Sequence, residues 1–492
     1  MLKGLIFNVS KNKFARTVGA YRIAHVLRQE GWDIEVIEYA LAWELDELKE
    51  LVRSRYSSDL RFIGFSHMFS MWSDTMEDFT KWLKENYPDT LLISGSGVTP
   101  KFSAEYIDIY VKGFGEEAIK AILKWHTGNS KMPTFTLVDG GRKLVDAIAF
   151  YPAFPTPDLM VKYEDRDFIR SNEWLAIEFA RGCKFKCDFC NFPVLGVKGD
   201  YSRDADNFRE QIVDAYDRFG VKNYLVADET FNDRTEKITK FADVVEALPF
   251  DPWFSGFIRA DLLVSRPRDR EELLRMNFLG QFYGIETFDW ESGKAVGKGM
   301  NPDRLKQGLI DIKDYYLNNG SKRYRGTLSF ILGLPHETID TLESTRQWLL
   351  DNWQGQNYVH YALEIPNNEY DQHSLISKDY KKYGYEDMVE ATDLNKDHVK
   401  WAQVGLARSI FLWKTKHMNI IDALRIYDKW NETRYDPANK FRLDCWSLSF
   451  MDLPADLDSR LAVHEYEMMW QDDYNEQQMI LVKDYKKKKL SL

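Results

Sequence analysis

The stretch from Glu178 to Pro193 reads Glu-Phe-Ala-Arg-Gly-Cys-Lys-Phe-Lys-Cys-Asp-Phe-Cys-Asn-Phe-Pro and contains three of the four cysteines of the chain. These three are Cys183, Cys187 and Cys190, spaced C-x3-C-x2-C. Thiolates this close on one short loop can converge on a soft metal centre, for which a [4Fe–4S] cluster and zinc are the usual occupants. A structural zinc site takes four protein ligands, whereas three thiolates leave one metal position for another ligand. The spacing therefore predicts an open metal centre.

The residues that flank the cysteines add to this prediction. An apolar run from Trp174 to Ala180 predicts a buried strand directly before the loop. Arg181-Gly182 precedes the first cysteine and the aromatic Phe189 precedes the third. Together these features resemble the radical S-adenosylmethionine (SAM) superfamily. The resemblance implies that the three cysteines hold a [4Fe–4S] cluster, that SAM chelates the fourth iron, and that Phe189 packs near the adenine. The alternatives are a zinc knuckle completed by a distant histidine and a chance cluster of cysteines.

Composition excludes several classes of protein. The chain has 492 residues, enough for two or three domains, and its 44% hydrophobic and 29% charged residues are ordinary for a globular protein. A net charge of −11 argues against a nucleic-acid binder, since phosphate contacts need concentrated Lys and Arg. The one basic run, Lys486 to Lys489, is predicted to be a solvated tail. No stretch approaches eighteen apolar residues, so no membrane span is expected.

The start of the chain leads directly into a strand and lacks a signal-peptide pattern. Few cysteines and no secretory signal predict a cytoplasmic protein. Cys445, far downstream of the loop, is expected to be a buried small hydrophobe.

Residues 1–128 alternate strand and helix patterns, which predicts a doubly wound parallel sheet. The strand candidates are Leu5–Val9, Asp33–Ile37, Phe62–Ser66, Leu91–Ser94 and Ile107–Val111, and the helix candidates are 15–30, 43–54, 70–87 and 115–126. Ligands of such sheets bind beyond the carboxyl ends of the strands, where the strand order reverses. The loops expected there, 10–19, 66–68, 95–99 and 113–115, are polar or small.

This half resembles the cobalamin-binding domain that precedes the barrel in one large branch of the radical SAM superfamily. The segments that carry the resemblance are Gly19-Ala20-Tyr21, Ile63-Gly64-Phe65-Ser66, Ile93-Ser94-Gly95-Ser96-Gly97 with Thr99, and Val111-Lys112-Gly113-Phe114-Gly115-Glu116. The resemblance implies that Gly95, Gly97 and Gly113 lie against the corrin, where side chains would block a flat macrocycle. The Asp-x-His-x-x-Gly pattern that supplies a lower axial histidine in many cobalamin proteins is absent. A doubly wound domain that kept its fold and lost its cofactor is therefore the alternative.

From residue 170 to 366 the alternation resumes with six β/α units. Strand candidates are 174–180, 223–227, 253–258, 281–284, 326–332 and 359–365, and helix candidates are 204–219, 233–247, 269–278, 302–318 and 338–353. This layout matches the (β/α)6 partial TIM barrel of the superfamily. Chemistry in such barrels gathers on loops after the strand C-termini.

The unusual segments of this half all follow strand candidates. They are the cysteines after the first, Asp228-Glu229 after the second, Arg259 and Asp261 after the third, Glu286 after the fourth, and Gly333-Leu334-Pro335 after the fifth. The resemblance implies that Asp228 or Glu229 holds the SAM amino group and that Glu286 faces its ribose or amino acid moiety, bonds that carboxylates suit. Gly333 lets backbone approach a ligand. Helix capping and a simple turn are the alternative roles.

The whole chain is expected to be an α/β protein with four parts. These are a cobalamin-binding-like domain at 1–128, a linker at 129–169, a radical SAM barrel at 170–366, and a mainly helical C-terminal cover at 367–492 that shapes the substrate pocket. Helical patterns in the last part are predicted at 398–416, with Trp401, Phe411 and Trp413, and at 419–430.

The expected function is that of a radical SAM enzyme that cleaves SAM and abstracts hydrogen from an unactivated carbon, as part of a cobalamin-dependent methylation. A small molecule or peptide is the expected substrate, and flavodoxin or ferredoxin the expected electron donor. Two alternatives stay open: a cobalamin-free radical SAM rearrangement, oxidation or crosslinking, and a non-enzymatic, metal-stabilised interaction module.

Overall fold

The computed structural model of the chain describes residues 1–10, 15–67, 73–96, 105–138, 141–150, 158–190, 201–319, 323–366, 372–387, 411–442, 476–477 and 479–492. The chain divides into two compact units. The first comprises Met1–Arg181, Val194–Leu225 and Tyr474–Leu492, and the second comprises Gly182–Pro193 and Val226–Asp473. The first cysteine is thus the second residue of the second unit.

The first unit contains a seven-stranded sheet. Its strands are β1 (Lys3–Val9), β3 (Asp33–Ile37), β4 (Leu60–His67), β5 (Leu91–Ser96), β6 (Ile109–Lys112), β7 (Thr136–Val138) and β8 (Arg142–Asp146), in the spatial order β3-β1-β4-β5-β6-β8-β7. The first five are parallel and follow the 2-1-3-4-5 order of doubly wound folds, so the strand order reverses between β1 and β4. The predicted strands and helices of this half are confirmed within a few residues, except that the first helix begins at Val18 because Ala15–Arg16 pair as a strand.

Four amphipathic helices follow the strands of this sheet: α1 (Val18–Gln29), α2 (Leu45–Arg55), α3 (Asp74–Asn86) and α4 (Glu116–His126). Six of the seven residues of β1 are buried, as expected for a central strand of a parallel sheet covered on both faces. The core includes Phe7, Phe65 and Phe79, whose rings pack within 6.3 Å of one another between centroids.

The segment predicted as a linker contains a hairpin that the sequence did not reveal. Strand β8 pairs in parallel with β6, with Ile109 opposite Lys143, and β7 pairs antiparallel with β8. These residues therefore extend the sheet of the first unit.

The basic run at the C-terminus is not a solvated tail. Residues 479–491 are helical, and Leu481, Val482 and Tyr485 are part of the hydrophobic core of the first unit. The Lys489 side chain is fully buried and its Nζ donates to Glu35 Oε1 at 3.0 Å. The prediction was wrong because charge composition does not show that three of the lysines, Lys486, Lys488 and Lys489, have polar partners.

The first unit also holds strands β2 (Ala15–Arg16), β9 (Trp174–Ile177), β10 (Ala180–Arg181), β11 (Tyr201–Ser202) and β12 (Asn223–Val226), the last of which ends at the unit boundary, and helix α5 (Ala205–Phe219). The apolar run before the cysteines is thus a strand, as predicted, and β2 pairs with it in parallel. Buried Arg16 fixes this pair to Glu173, with Nη2 donating to Oε1 at 2.9 Å.

The second unit is built on four parallel strands, β13 (Trp253–Ile258), β14 (Phe278–Glu286), β15 (Arg325–Leu332) and β16 (Asn357–Ala362). Its helices are α6 (Thr235–Glu246), α7 (Ala260–Ser265), α8 (Asp269–Arg275), α9 (Trp290–Ala295), α10 (Pro302–Asn319), α11 (Ile339–Asn352), α12 (Leu375–Lys378) and α13 (Ile420–Tyr435). The predicted strand and helix positions are confirmed within a few residues up to Asn352.

One C-terminal prediction was wrong in its described part. Trp413 lies in a short strand, β18 (Trp413–Lys414), which pairs with β17 (Glu386–Asp387), and not in a helix. Its ring is fully buried and its indole N–H donates to Leu363 O at 2.8 Å, so tertiary contacts decide the local structure. The rest of the pattern, including Trp401, lies outside the described residues. Among the helices that the structure describes, none is long and apolar enough to cross a membrane.

Candidate active site

The cysteine loop, residues 182–190, is fastened on one side to the segment 229–233. Gly182 begins the loop with φ +102°, a backbone conformation that favours glycine, and its N–H donates to Glu229 Oε2 at 3.0 Å. Cys183 Sγ lies 3.6 Å from Thr230 Oγ1, and Lys184 Nζ donates to Asp233 O. The first cysteine is thus held beside Glu229, one of the two acidic residues predicted after the second strand.

The other side of the loop is fastened to later parts of the second unit. Asp188 N donates to Val296 O at 3.2 Å, and Asp188 Oδ2 accepts the Tyr383 hydroxyl at 2.6 Å. Gly297 approaches so closely that an added Cβ would lie 3.3 Å from Lys186 O. The loop itself is closed by Cys190 N donating to Cys187 O at 3.0 Å. Backbone and side-chain contacts therefore define the loop on both sides.

The three cysteines have the chemistry that an iron–sulfur cluster requires. All are free thiols, half-buried on one loop. The Arg259 guanidinium directs Nη1 at Cys187 Sγ at 3.6 Å, a donor that suits an anionic sulfur. Within the described residues, no three His, Cys, Asp or Glu side chains are already gathered around one metal position. The donor types, their common loop and the cation beside them fit a cluster held by Cys183, Cys187 and Cys190.

The two acidic residues after β12 occupy different surroundings. Asp228 is 1% exposed and its Oδ2 lies 3.7 Å from Lys237 Nζ. Lys237 also pairs with Asp233 Oδ1 at 2.8 Å and donates to Thr230 O at 3.1 Å. Glu229, in contrast, contacts the cysteine loop through Gly182. The structure therefore brings Glu229 to the loop and places Asp228 in a buried ionic network beneath it.

Glu286 ends β14 in a left-handed conformation with φ +68° and is 9% exposed. Burial raises the pKa of its carboxyl, and the nearby Lys298 ammonium opposes that rise. Lys298 Nζ donates to Gly284 O at 2.7 Å and lies 3.5 Å from Glu286 Oε1. The same ammonium lies 5.9 Å from the centroid of the Phe189 ring. Lys298 thus joins two of the predicted SAM residues.

A cleft adjoins these groups. Its lining includes two carboxylates, Asp261 and Asp289, the Lys298 ammonium, the Thr287 hydroxyl and the apolar side chains of Ile285 and Met300. Charges of both signs beside apolar surface suit a ligand that carries charged and apolar parts.

Gly333 forms a turn that packs against the protein itself. It has φ +96°, and an added Cβ would overlap the Trp413 ring. The N–H groups of Gly333 and Leu334 donate to Glu337 Oε2 at 2.8 and 3.1 Å, and Tyr385 OH donates to Gly333 O at 2.8 Å. Burial raises the pKa of Glu337 to about 8. The close neighbour of this glycine on its Cβ side is therefore a tryptophan, and its predicted contact with a ligand stays a prediction.

In the first unit, Gly95 lies in β5 at the carboxyl edge of the sheet, paired with Ser66 and Val111. A Cβ added at Gly95 would meet no atom of the described residues within 4 Å. Gly113, with φ +92°, lies in the loop after β6. Gly97 lies outside the described residues, as does Cys445.

The loop that contains Gly113 contacts Arg181, two residues before the first cysteine. Arg181 Nη1 pairs with Glu116 at 2.7 Å, and its guanidinium stacks 4.3 Å from the Phe114 ring centroid. Both contacts lie within the first unit. The arginine is buried and also pairs with Glu178 at 2.6 Å.

Sequence reasoning missed the roles of Thr230, Lys298 and Glu337. Lys298 had a weak signal, since Gly297-Lys298-Gly299 is a glycine-flanked cation. Thr230 and Glu337 lie one and two residues after segments that the sequence singled out, but their contacts depend on turn geometry. For Arg259 and Asp261 the sequence predicts a position after the third strand but no role.

Residues 177–349 match the family model of the Radical SAM superfamily. The anaerobic magnesium-protoporphyrin IX monomethyl ester cyclase of Rubrivivax gelatinosus is 27% identical over 314 residues, which cover 55% of this chain and 52% of that protein. The chain thus spans about half the length of this curated relative.

Two solved structures share the fold. The radical SAM methyltransferase TsrM from Kitasatospora setae, with tryptophan substrate and a SAM analogue bound, has a TM-score of 0.68 at 12% identity and covers 96% of this chain and 100% of that one. The cobalamin-dependent SAM radical enzyme OxsB, with aqua-cobalamin bound, has a TM-score of 0.55 at 17% identity, covering 78% of this chain and 56% of that chain. The expected α/β fold is confirmed: a parallel N-terminal sheet, a radical SAM fold and a helical C-terminal region.

Proposed function

We propose, on the match of residues 177–349 to the radical SAM family, that the chain is a radical SAM enzyme and acts as a cobalamin-dependent methyltransferase on an unactivated carbon. The observation that carries the proposal is the cysteine loop, whose free thiols lie beside the carboxylate of Glu229 and the guanidinium of Arg259. Cys183, Cys187 and Cys190 would hold a [4Fe–4S] cluster, with SAM on its open iron. When bound, the cluster and SAM supply hydrogen abstraction by a SAM-derived radical, and cobalamin supplies a transferable methyl group.

The protein's own part is to bind and orient SAM. Glu286 offers a buried carboxylate, which can accept charge-assisted bonds from an ammonium or bonds from ribose hydroxyls. Lys298, between Glu286 and Phe189, would fix the position of that carboxylate relative to the ring. Glu229 is the better candidate of the two adjacent acids for the SAM amino group, because Asp228 is buried beside Lys237.

Support for cobalamin comes from the first unit. Its strand order leaves a ligand edge where β1 and β4 diverge, and Gly95 lies near that edge with no described residue close to its Cα on the side where a Cβ would project. The similar fold of a cobalamin-bound enzyme supports the same interpretation. Gly113 would extend this side-chain-free surface for the corrin, and the predicted role of Gly97 concerns a residue outside the described ones.

The proposal is tested by anaerobic reconstitution followed by reaction with SAM and dithionite. The parent protein should release 5′-deoxyadenosine, measured by chromatography, and a variant with all three cysteines changed to alanine should release none. A folded, iron-loaded parent that releases none would contradict a radical SAM activity.

Cobalamin is tested separately by titration with hydroxocobalamin, followed in the visible spectrum. Gly95→Trp should abolish binding because the indole would occupy the open space at the sheet edge. Thr136→Trp, which adds the same ring to the exposed strand β7, should bind like the parent.

The missing Asp-x-His-x-x-Gly motif favours a second candidate, a cobalamin-free radical SAM rearrangement, oxidation or crosslinking. Release of 5′-deoxyadenosine without any spectral change on adding hydroxocobalamin would select it.

A further inference from the structure

Arg259 follows β13 and is fixed in place by its own backbone. Its N–H donates to Asn232 Oδ1 at 2.8 Å, and its carbonyl accepts from Asn232 Nδ2 at 3.0 Å. Asn232 is fully buried, so these two bonds are shielded from water. These two backbone bonds therefore fix the position of Arg259 independently of its side-chain contacts.

The side chain is held by a two-pronged ion pair. Nε and Nη2 donate to the two carboxylate oxygens of Asp261 at 3.0 and 2.6 Å. This planar arrangement fixes the guanidinium in orientation as well as in position. The Nη1 group is left to point elsewhere.

The rest of the guanidinium contacts two residues of the cysteine loop, Cys187 and Phe185. Nη1 donates to Cys187 Sγ at 3.6 Å, and Cζ lies 3.8 Å from the centroid of the Phe185 ring. Arg259 is only 8% exposed, so the cation acts on the sulfur with little screening by water.

We propose that Arg259 is a positioning residue that sets the middle of the cysteine loop and, through its bond to the Cys187 sulfur, raises the reduction potential of the cluster. This rests on the proposed function, because it requires Cys187 to be a cluster ligand. A one-electron donor such as dithionite supplies the electron, and no bond to the protein forms or breaks. The cluster gains one negative charge.

Arg259 raises the reduction potential because the cluster gains a negative charge when it is reduced. A cationic N–H donor at a ligand sulfur stabilises the more negative form of the centre, and hydrogen bonds to sulfur are among the factors that set cluster potentials. Asp261 offsets part of the positive charge, but its oxygens bind the opposite side of the guanidinium. The nearer group to the sulfur is therefore the N–H donor.

The experiment compares three variants after anaerobic reconstitution: Arg259→Gln, Arg259→Lys and Arg323→Gln. Arg323 is a matched control, because its guanidinium also stacks on an aromatic ring, Trp253, at 3.9 Å. Iron per chain is measured first. The potential is then measured by electron paramagnetic resonance at a series of poised potentials.

In Arg259→Gln the equilibrium constant for one-electron reduction of the cluster should fall about tenfold. This lowers the reduction potential by about 59 mV. Arg259→Lys keeps the charge but not the fixed fork, so it should shift the potential the same way by less. Arg323→Gln should behave like the parent.

Parent-like iron content and potential in Arg259→Gln would overturn the proposal. If that variant holds no cluster, Arg259→Lys decides: a lowered potential supports the proposal and an unchanged one overturns it. A parent protein that holds no cluster would overturn the proposed function, and this proposal with it. A cluster-loaded parent with insensitive variants would overturn only the role of Arg259.

Discussion

At the scale of single residues, the account depends most on Glu286, a buried carboxylate at a strand end. Replacing it by its neutral isostere, Glu286→Gln, should weaken SAM binding by about ten- to a hundredfold, the loss expected for one charge-assisted bond of about 1.5–3 kcal/mol. Binding is measured by anaerobic equilibrium dialysis of the cluster-loaded protein. Glu291→Gln is the control, since that exposed glutamate pairs only with Lys294 in the described structure. Equal affinity in parent and Glu286→Gln would remove Glu286 from the SAM site.

Glu337 gives a pH-dependent prediction. Its pKa is raised to about 8 by burial, so the folded protein keeps this carboxyl protonated at a pH where the unfolded chain has lost the proton. The stabilisation that it contributes is fully present below the unfolded pKa and is lost as the pH rises towards 8. Glu337→Gln mimics the protonated form, and should therefore raise the thermal midpoint of the second unit at pH 8 more than at pH 6. A variant with the same midpoint as the parent at both pH values would contradict this assignment.

The residue scale also shows how far sequence reasoning reached. Cysteine spacing is a local property, so the placement of Cys183, Cys187 and Cys190 together on one loop follows from the sequence alone. The contacts of Gly333 were not predictable, because they depend on Trp413, which is distant in sequence and is held by its pairing in β18 and by its bond to Leu363 O.

At the scale of elements, the C-terminal helix is the largest departure from expectation. Lys489 is fully buried against Glu35, and its carbonyl accepts from Arg55 Nη2 at 2.6 Å. Lys489→Met should lower the free energy of unfolding of the first unit by about 1–3 kcal/mol, because Glu35 loses one of its two cationic partners. Denaturant unfolding at neutral pH measures the change.

Lys487→Met is the control, since that lysine is exposed on the same helix. Equal loss in the two variants, or no loss in either, would show that the buried ion pair contributes nothing to stability.

Strands and helices with a strong hydrophobic period were predicted well, whereas short strands were not. Strands such as β1 and β14 are mostly apolar, because both faces of a parallel sheet are covered, and this makes them visible in sequence. Strand β7 has only three residues, two of them exposed, so nothing in its composition distinguishes it from a loop. Its strand conformation comes from pairing with β8.

At the scale of the whole molecule, the chain combines a doubly wound sheet and a unit of parallel strands that carries the cysteine loop. The order of motifs along the sequence predicted both folds. The assignment of chain segments to the two units was less visible, since residues 479–491 belong with the first unit although they end the sequence. Long-range packing of this kind leaves no local signal.

The central claim is that the three cysteines hold a [4Fe–4S] cluster. Its most direct test is the iron and sulfide content of anaerobically reconstituted protein, compared among the parent, the variant with Cys183, Cys187 and Cys190 changed to alanine, and Cys445→Ala. The account predicts about four irons and four sulfides per chain in the parent and in Cys445→Ala, and none in the triple variant. Stoichiometric zinc without iron in the parent, or a full complement of iron in the triple variant, would contradict it.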